Sequence, residues 1–251
     1  MAMSCFLWAQ TLDLVQEAGE RWTFDRYFPL LLQGAWVTVE ITCLSMLLAI
    51  VIGLPIALAR LYGPAPLRWL ATLYVEFFRG IPVLLLLYFL YYYLIPLAYS
   101  WPIVAESEAI HWLRRHDALL AAILGFGLNY AAYEAEIYRA GLLSIPAGQW
   151  EAAASLGMSS GLTLRRIILP QAIRVILPPM TNDFVALFKD TSVVSIIAVV
   201  ELSKQYQILS KSSLKYLEIG LVTAALYLIM SVPLGHLSRY LEKRWGKAAW
   251  T

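Results

Sequence analysis

Residues 41–59, "ITCLSMLLAIVIGLPIALA", form an uncharged run of nineteen residues between Glu40 and Arg60. A helix needs roughly 20 apolar residues to cross the hydrocarbon core of a bilayer. Three further uncharged or nearly uncharged apolar stretches follow, at about 80–98, 118–138 and 219–238. These stretches predict an all-α integral membrane protein.

The composition supports this class over the whole chain. Of the 251 residues, 60% are hydrophobic and 14% are charged, whereas average soluble domains are about 45–50% apolar and about 25% charged. The net charge of +2 and the scattered basic residues exclude nucleic-acid binding. The two cysteines, Cys5 and Cys43, have no paired spacing, so we expect neither a disulfide nor a metal site.

The first 26 residues differ from the rest. They lack a cationic start and carry Asp13, Glu17 and Glu20, which argues against a cleaved signal peptide. We expect an extracytoplasmic, amphipathic lead-in over residues 1–26.

One more span, the fourth of five in chain order, is predicted over residues 172–200, although charges interrupt this stretch. Its longest charge-free pieces, 175–182 and 191–200, are each too short to cross a membrane. Together they cross only if Asp183, Lys189 and Asp190 lie within the bilayer.

The basic residues predict the orientation of these five spans. Outside the spans, Lys and Arg divide eleven to seven between the two sides of the membrane, and cytoplasmic loops carry the excess of positive residues. The C-terminus and the loop 139–174, between the third and fourth spans, are therefore predicted to be cytoplasmic. The N-terminus is predicted to lie outside.

That loop contains a short polar segment, residues 144–170. Pro146 suits the first turn of a helix and Gly157 its end. Ser159 or Ser160 can cap a second helix that ends before Pro170. The pattern predicts a cytoplasmic helix–turn–helix. It is either a well-capped surface connector or a docking element for a soluble partner.

The same segment resembles the "EAA" signature of permeases in bacterial ATP-binding-cassette importers. The matching residues are Glu151, Ala152, Ala153, Gly157, Ile167, Leu169 and Pro170. Residues 77–92, 131–153 and 181–202 resemble the polar amino-acid subgroup of these permeases, and the resemblance runs from about Gly34 to the C-terminus. Ile81 departs from it, since the subgroup usually shows Thr in an Arg-Gly-Thr-Pro turn.

The resemblance implies a multi-pass permease subunit of a bacterial inner membrane, with residues 27–251 as the permease domain and 144–170 as the ATPase-coupling loop. It implies alternating-access uptake of a polar amino acid. The implied partners are cytoplasmic ATP-binding subunits, a second permease subunit (identical or homologous) and an extracytoplasmic solute-binding protein. The chain has no Walker-type glycine loop, so ATP and magnesium would be bound by the partner subunits. No catalytic residue, metal or cofactor is expected in this chain.

Charged residues at membrane depth are candidates for the substrate pathway. Asn182 and Lys189 share one helical face, and Asp183 and Asp190 share the neighbouring one. Asp183 follows the helix-breaking pair Pro178-Pro179, as in midplane transporter sites, and could hold an ammonium group. The candidates for the pathway are Gly80, Pro82, Asn182, Asp183, Lys189, Asp190 and Thr191. A structural role for Lys189 and Asp190 in helix packing is an equal alternative.

Two acidic residues, Glu134 and Glu136, close the third span. Glu136 and Arg139 are predicted either to form an ion pair at the cytoplasmic end of the helix or to act as a gate that changes partners. A channel or membrane scaffold, and an intramembrane enzyme that uses the acidic residues of the fourth span, are the competing functions.

Overall fold

The computed structural model describes residues 23–100 and 116–245, and all regular secondary structure within these ranges is helical. The α-helices are α1 (Phe24–Tyr62), α2 (Ala65–Gly80), α3 (Val83–Phe89), α4 (Ile95–Tyr99), α5 (Asp117–Leu143), α6 (Ala147–Ser155), α7 (Ser160–Thr163), α8 (Leu169–Asp190), α9 (Leu202–Ser213) and α10 (Tyr216–Trp245). Two π-helical turns (Leu90–Leu94 and Leu164–Ile168) and one 3-10 helix (Thr191–Ile197) continue these helices. Most of the predicted lead-in, with Cys5, lies outside the described residues.

Three of the described helices, α1, α5 and α10, are long and apolar enough to cross a membrane. The predicted spans 41–59, 118–138 and 219–238 lie within them. The 39 residues of α1 extend for about 58 Å at 1.5 Å per residue, nearly twice the hydrocarbon thickness of about 30 Å. The fold is therefore that of an all-α membrane protein.

The span predicted over about 80–98 coincides with the helical stretch Val83–Tyr99, which a break separates from a preceding helix. The chain forms a separate helix, α2, that ends at Gly80, and α3 starts only at Val83. Pro82 occupies the position before α3, and its carbonyl accepts the backbone N–H groups of Leu85 and Leu86 at 3.0 and 3.2 Å. A fourth span arises only if α2 and the helices over 83–99 are taken together as one bent span.

The predicted span 172–200 is wrong as a single α-helix. α8 ends at Asp190, a 3-10 helix follows, and Ala198 then adopts a left-handed conformation with a φ of 63°. α8 is not among the membrane-length apolar helices of the described chain, because charged, amide and proline residues dilute its apolar ones.

The chain divides into two compact units. The first comprises residues up to Met46, Ile81–Gly127 and Leu187–Ser231, and the second comprises Leu47–Gly80, Leu128–Ala186 and the residues from Val232 onwards. Each unit has its own apolar core. In the first, α1, α9 and α10 contribute Tyr27, Leu30, Leu31, Ala35, Leu202, Leu209, Ile219 and Leu226. In the second, α1, α2, α5 and α8 contribute Ala57, Val75, Ala132, Ala135, Tyr138, Ala172 and Ile176.

A buried carboxylate fixes the start of α9 in the first unit. Glu201 has no exposed surface, and it accepts the backbone N–H groups of Ser203 and Lys204 at 2.8 and 2.7 Å. The hydroxyl group of Tyr227 on α10 donates to it at 3.0 Å, and Thr38 on α1 donates at 3.5 Å. Glu201 therefore caps α9 and links it to two long helices.

We expect the stability of the protein to depend on pH through Glu201, which lies outside the membrane-length helices. Burial raises the pKa of Glu201 from 4.5 to about 7. The folded state thus binds this proton more tightly than the unfolded state. The contribution is full below about pH 4.5 and is lost as the pH rises through about 7, which amounts to on the order of 3 kcal/mol.

This dependence can be measured by thermal unfolding of the purified protein in detergent between pH 4.5 and 8. Glu201→Gln should flatten the decline of Tm with pH, whereas Glu242→Gln, at an exposed position, should leave it unchanged. Equal pH profiles for wild type and Glu201→Gln would contradict the assignment.

Candidate functional site

The helix α6 ends in a left-handed glycine turn. Gly157 has a φ of 74°, a conformation that costs glycine little. Its N–H donates to the carbonyl of Ala154 at 2.9 Å, and the N–H of Met158 donates to the carbonyl of Ala153 at 3.1 Å. This pair of hydrogen bonds is the Schellman motif, and it fixes the sharp turn between α6 and α7.

The prediction that the second helix ends before Pro170 is wrong. α7 continues through the π-helical turn Leu164–Ile168 directly into α8, and Pro170 is the second residue of that helix. Proline is tolerated in the first turn of a helix, so it does not interrupt the chain here. One continuous helical path therefore runs from Ser160 to Asp190.

The two faces of this segment differ in exposure. Leu156 at the turn is 79% exposed, whereas Ala153 and Ile168 are 1% and 0% exposed. Of the other signature residues, Glu151, Ala152, Gly157, Leu169 and Pro170 are exposed and Ile167 is half-buried. The exposed side of the turn therefore presents a small surface of apolar and polar side chains, while Ala153 and Ile168 on its other side are buried.

A cluster of opposite charges surrounds Glu136 in the second unit. Its carboxylate accepts Nη1 of Arg60 at 2.5 Å and Nε of Arg139 at 2.8 Å. The predicted pair Glu136–Arg139 therefore forms. Arg60, whose side chain is 12% exposed, and Arg79, with Nη1 4.0 Å away, were not predicted. They lie far away in sequence, and no local spacing indicates such contacts.

The C-terminal end of α2 is held against α5. Asn129 Nδ2 donates to the carbonyl of Phe78 at 2.6 Å, and the hydroxyl group of Tyr74 donates to the carbonyl of Leu128 at 2.8 Å. The guanidinium of Arg79 lies over the ring of Tyr133, 5.1 Å from its centroid. These contacts fix the position of Arg79 one residue before the helix ends.

The polar face of α8 is likewise held in the second unit. Ser238 on α10 donates to Oδ1 of Asn182 at 2.7 Å, which fixes the turn that carries Asp183. The prediction that Pro178-Pro179 breaks the helix is wrong, since α8 runs through both prolines. The neighbouring Asp183 is half-buried.

The three remaining candidates for the substrate pathway lie in the first unit, and they differ in how exposed they are. Lys189 and Asp190 are exposed. Thr191 is fully buried, and its hydroxyl group donates to the carbonyl of Phe188 at 2.8 Å. Thr191 therefore stabilises the end of α8 and offers no free surface to a substrate.

Gly80 and Pro82 lie at the break between α2 and α3, and both are exposed. A Cβ atom placed on Gly80 would meet nothing within 4 Å. The glycine is thus not required by packing, and the space beside its backbone is open. Within the described residues no group of three or more His, Cys, Asp or Glu side chains is arranged to hold a metal ion.

Comparisons with known proteins agree with the sequence resemblance. The family described as "binding-protein-dependent transport system inner membrane component" matches residues 49–247. The chain is 38% identical to the probable amino-acid ABC transporter permease YckA of Bacillus subtilis, over 87% of this chain and 90% of YckA. It is 37% identical to the L-cystine transport system permease TcyB of the same organism, over 92% and 90% of the two chains.

The glutamine transport system permease GlnP of Escherichia coli is 36% identical over 86% of this chain and 93% of GlnP. Among solved structures, an amino acid ABC transporter crystallised with histidines has a TM-score of 0.75 and 32% identity, covering 88% of this chain and 96% of that one. The methionine ABC transporter MetNI has a TM-score of 0.61 at 21% identity, covering 85% and 97%, and shows the same fold.

These matches favour a transport subunit over the channel, scaffold and enzyme alternatives. ATP hydrolysis in such importers occurs in partner chains. The protein belongs to the inner-membrane permease subunits of binding-protein-dependent ATP-binding-cassette importers.

Proposed function

We propose that this permease subunit carries a polar amino acid inward by alternating access. The observation that supports the proposal most directly is the agreement among relatives: YckA, TcyB and GlnP carry amino-acid, cystine and glutamine transport in their names. The described chain adds charged and amide side chains at Arg79, Asn182 and Asp183, next to membrane-length helices. Such groups suit a polar cargo and would be costly on a surface that faces only lipid.

We propose that residues 144–170 dock into a cytoplasmic ATP-binding subunit. The exposed Leu156 at a rigid turn is the kind of apolar projection that a protein cleft can bury. ATP and magnesium belong to that partner. The proposed assembly also contains a second permease subunit, identical or homologous, and an extracytoplasmic solute-binding protein.

The proposed topology has five spans, with residues 27–251 as the permease domain. The helices α1, α5 and α10, the bent pair over 65–99 and α8 supply the five. α8 is 22 residues long, or about 33 Å, which is enough to cross if its polar residues face protein or water. The distribution of basic residues supports an external N-terminus and a cytoplasmic C-terminus.

The cluster around Glu136 is proposed as a gate. Glu136 has three arginines within 4.0 Å, so it can exchange partners when helices move without becoming an unpaired charge. Such an exchange costs less than breaking a buried pair outright.

The cargo is tested by reconstituting the permease with its ATP-binding subunit and solute-binding protein in proteoliposomes. We expect ATP-dependent uptake of at least one labelled amino acid from a panel that contains L-glutamine, L-arginine, L-cystine and L-histidine. Parallel sugar, peptide and phosphate panels serve as controls. Uptake confined to one of those other classes would overturn the amino-acid assignment.

The docking proposal predicts a defect for Gly157→Val. Valine in the left-handed region costs roughly 1–2 kcal/mol, so the turn between α6 and α7 should open. Uptake per ATP hydrolysed should fall severalfold, while the amount of protein in the membrane stays unchanged. Gly157→Asn is the matched control, since asparagine tolerates this conformation. Normal coupling in Gly157→Val would contradict the docking role.

The gate proposal predicts different effects for two arginine variants. Arg60→Gln should lower Tm more than Arg139→Gln, because Arg60 is the more buried partner at the shorter distance and buried pairs cost more to break than exposed ones. Arg139→Gln should alter the rate of ATP-driven uptake while Tm stays near that of the wild type. Unchanged uptake in a stable Arg139→Gln variant would leave Glu136 with a structural role only.

A further inference from the structure

The last turns of α10, in the second unit, carry three exposed basic residues, Arg239, Lys243 and Arg244. Arg239 and Lys243 are four positions apart and Arg244 follows directly, so the three side chains project from one side of the helix. We call them the basic face. The only acidic residue over 236–245 is Glu242, and among the ion pairs of the described chain it has none within 4.0 Å. The positive charges of the basic face are therefore not neutralised by the described residues.

Side chains that carry no negative charge position two of these basic residues. Nη2 of Arg239 lies 3.2 Å from Nδ1 of His236. Nη1 of Arg244 donates to the hydroxyl group of Tyr240 at 2.7 Å, and the guanidinium lies 5.9 Å from the centroid of that ring. Each guanidinium has five N–H donors, so these contacts orient the side chains without using up their capacity to bind an anion.

The basic face begins where the apolar part of α10 ends. Residues 219–238 are uncharged, and they extend for about 30 Å along the helix, which equals the hydrocarbon thickness of a bilayer. Arg239 is the first charged residue after this run. Tyr240, which is 54% exposed, belongs to the residue types that are enriched at the membrane–water interface. The basic face therefore lies at the depth of the lipid head groups.

Exposed apolar side chains lie on the membrane side of the basic face. Val232 is 45% exposed and precedes Arg239 by seven residues, and Leu237 is 48% exposed and precedes Arg244 by seven. Seven residues make close to two helical turns, so each apolar side chain shares a helix face with the basic residue that follows it. Exposed apolar surface thus leads directly into the basic face.

This combination of charge and apolar surface limits what can bind. A soluble anion would use the charges but leave the apolar side chains in contact with neither lipid nor protein. A cytoplasmic protein would approach from water and would not reach Val232, which lies at hydrocarbon depth. An anionic phospholipid satisfies both parts, because its phosphate accepts hydrogen bonds from Arg and Lys and its acyl chains cover apolar surface. Basic residues at the end of a transmembrane helix attract anionic lipids for the same electrostatic reason.

We propose that Arg239, Lys243 and Arg244 bind the phosphate of an anionic phospholipid, whose acyl chains pack along Val232 and Leu237. The bound lipid holds the C-terminal end of α10 at the membrane surface. Under the proposed topology, this lipid belongs to the cytoplasmic leaflet. The inference goes beyond amino-acid transport, since it requires only that α10 spans a membrane.

Lipid binding is tested by native mass spectrometry of the full-length permease in detergent. The purified protein is incubated with equal amounts of phosphatidylglycerol and phosphatidylcholine that have the same acyl chains. We expect the phosphatidylglycerol adduct to predominate in the wild type. Glycerol phosphate, which carries the anionic group without acyl chains, is the soluble competitor and should leave this adduct in place.

Replacing the residues of the basic face by Gln should remove the preference for the anionic lipid. Each single variant should lower the ratio of phosphatidylglycerol to phosphatidylcholine adducts by up to about fivefold, and the triple variant should bring the two adducts to equal amounts. The matched control removes three positive charges from exposed positions elsewhere, as Arg26→Gln/Arg68→Gln/Lys211→Gln. It should retain the wild-type ratio, because a general loss of positive charge does not remove the site.

Tm measured in detergent without added lipid separates unfolding from loss of binding, and the single variants keep the test decisive if the triple variant fails to fold. An unchanged adduct ratio in the folded variants would overturn the lipid site, as would displacement of the lipid by glycerol phosphate. Loss of the wild-type preference on assembly with the ATP-binding subunit would also overturn it, by assigning the basic face to that subunit. Failure of amino-acid uptake would overturn the proposed function and leave the lipid result unaffected.

Discussion

A charge that is removed from water has to find an opposite charge or a set of hydrogen bonds, and the second unit depends on this constraint at Glu136. The carboxylate joins α1 to α5 through Arg60, and Arg139 on its own helix adds a second partner. Burial of a charge without such partners costs several kcal/mol. The pairing therefore determines which turns of α1 and α5 face each other, and the small residues Ala57, Ala132 and Ala135 can then pack closely between them.

The two units satisfy this constraint in different ways. In the first unit, Glu201 is enclosed and accepts hydrogen bonds from two backbone N–H groups and two hydroxyl groups. Its role is structural, because no acceptor capacity is left for a ligand. In the second unit, Glu136 is partly exposed and is paired with Arg60 and Arg139. The first carboxylate is thus satisfied by neutral hydrogen-bond donors and the second by opposite charges.

Whether the sequence could predict a feature depended on how far apart along the chain the interacting residues lie. Long apolar runs predicted α1, α5 and α10, and local spacing predicted the turn at Gly157 and the pair Glu136–Arg139, since both depend on residues a few positions apart. The contacts of Glu136 with Arg60 and Arg79 span 76 and 57 positions, so no local pattern contains them. The burial of Thr191 and of Glu134 also depends on tertiary packing.

Two predictions about where the helix α8 is interrupted were wrong, and their causes are local. Pro178-Pro179 suggested a break, but α8 continues through both prolines. The true break follows Asp190, where the apolar β-branched run suggested a continuing span.

An uninterrupted helical path, Ser160–Asp190, leads from just after the exposed turn at Gly157 to the turn of α8 that carries Asp183. From Thr163 at the end of α7 to Asp183 is 20 residues, or about 30 Å along a helix. A displacement of α7, which begins directly after the exposed turn around Leu156, can therefore be transmitted along the helix axis to Asp183. The paired prolines lie between these points and remove two backbone donors, which makes this the place where a helix bends most readily. A bend there would move Asp183 relative to Arg79, which is held on a different helix.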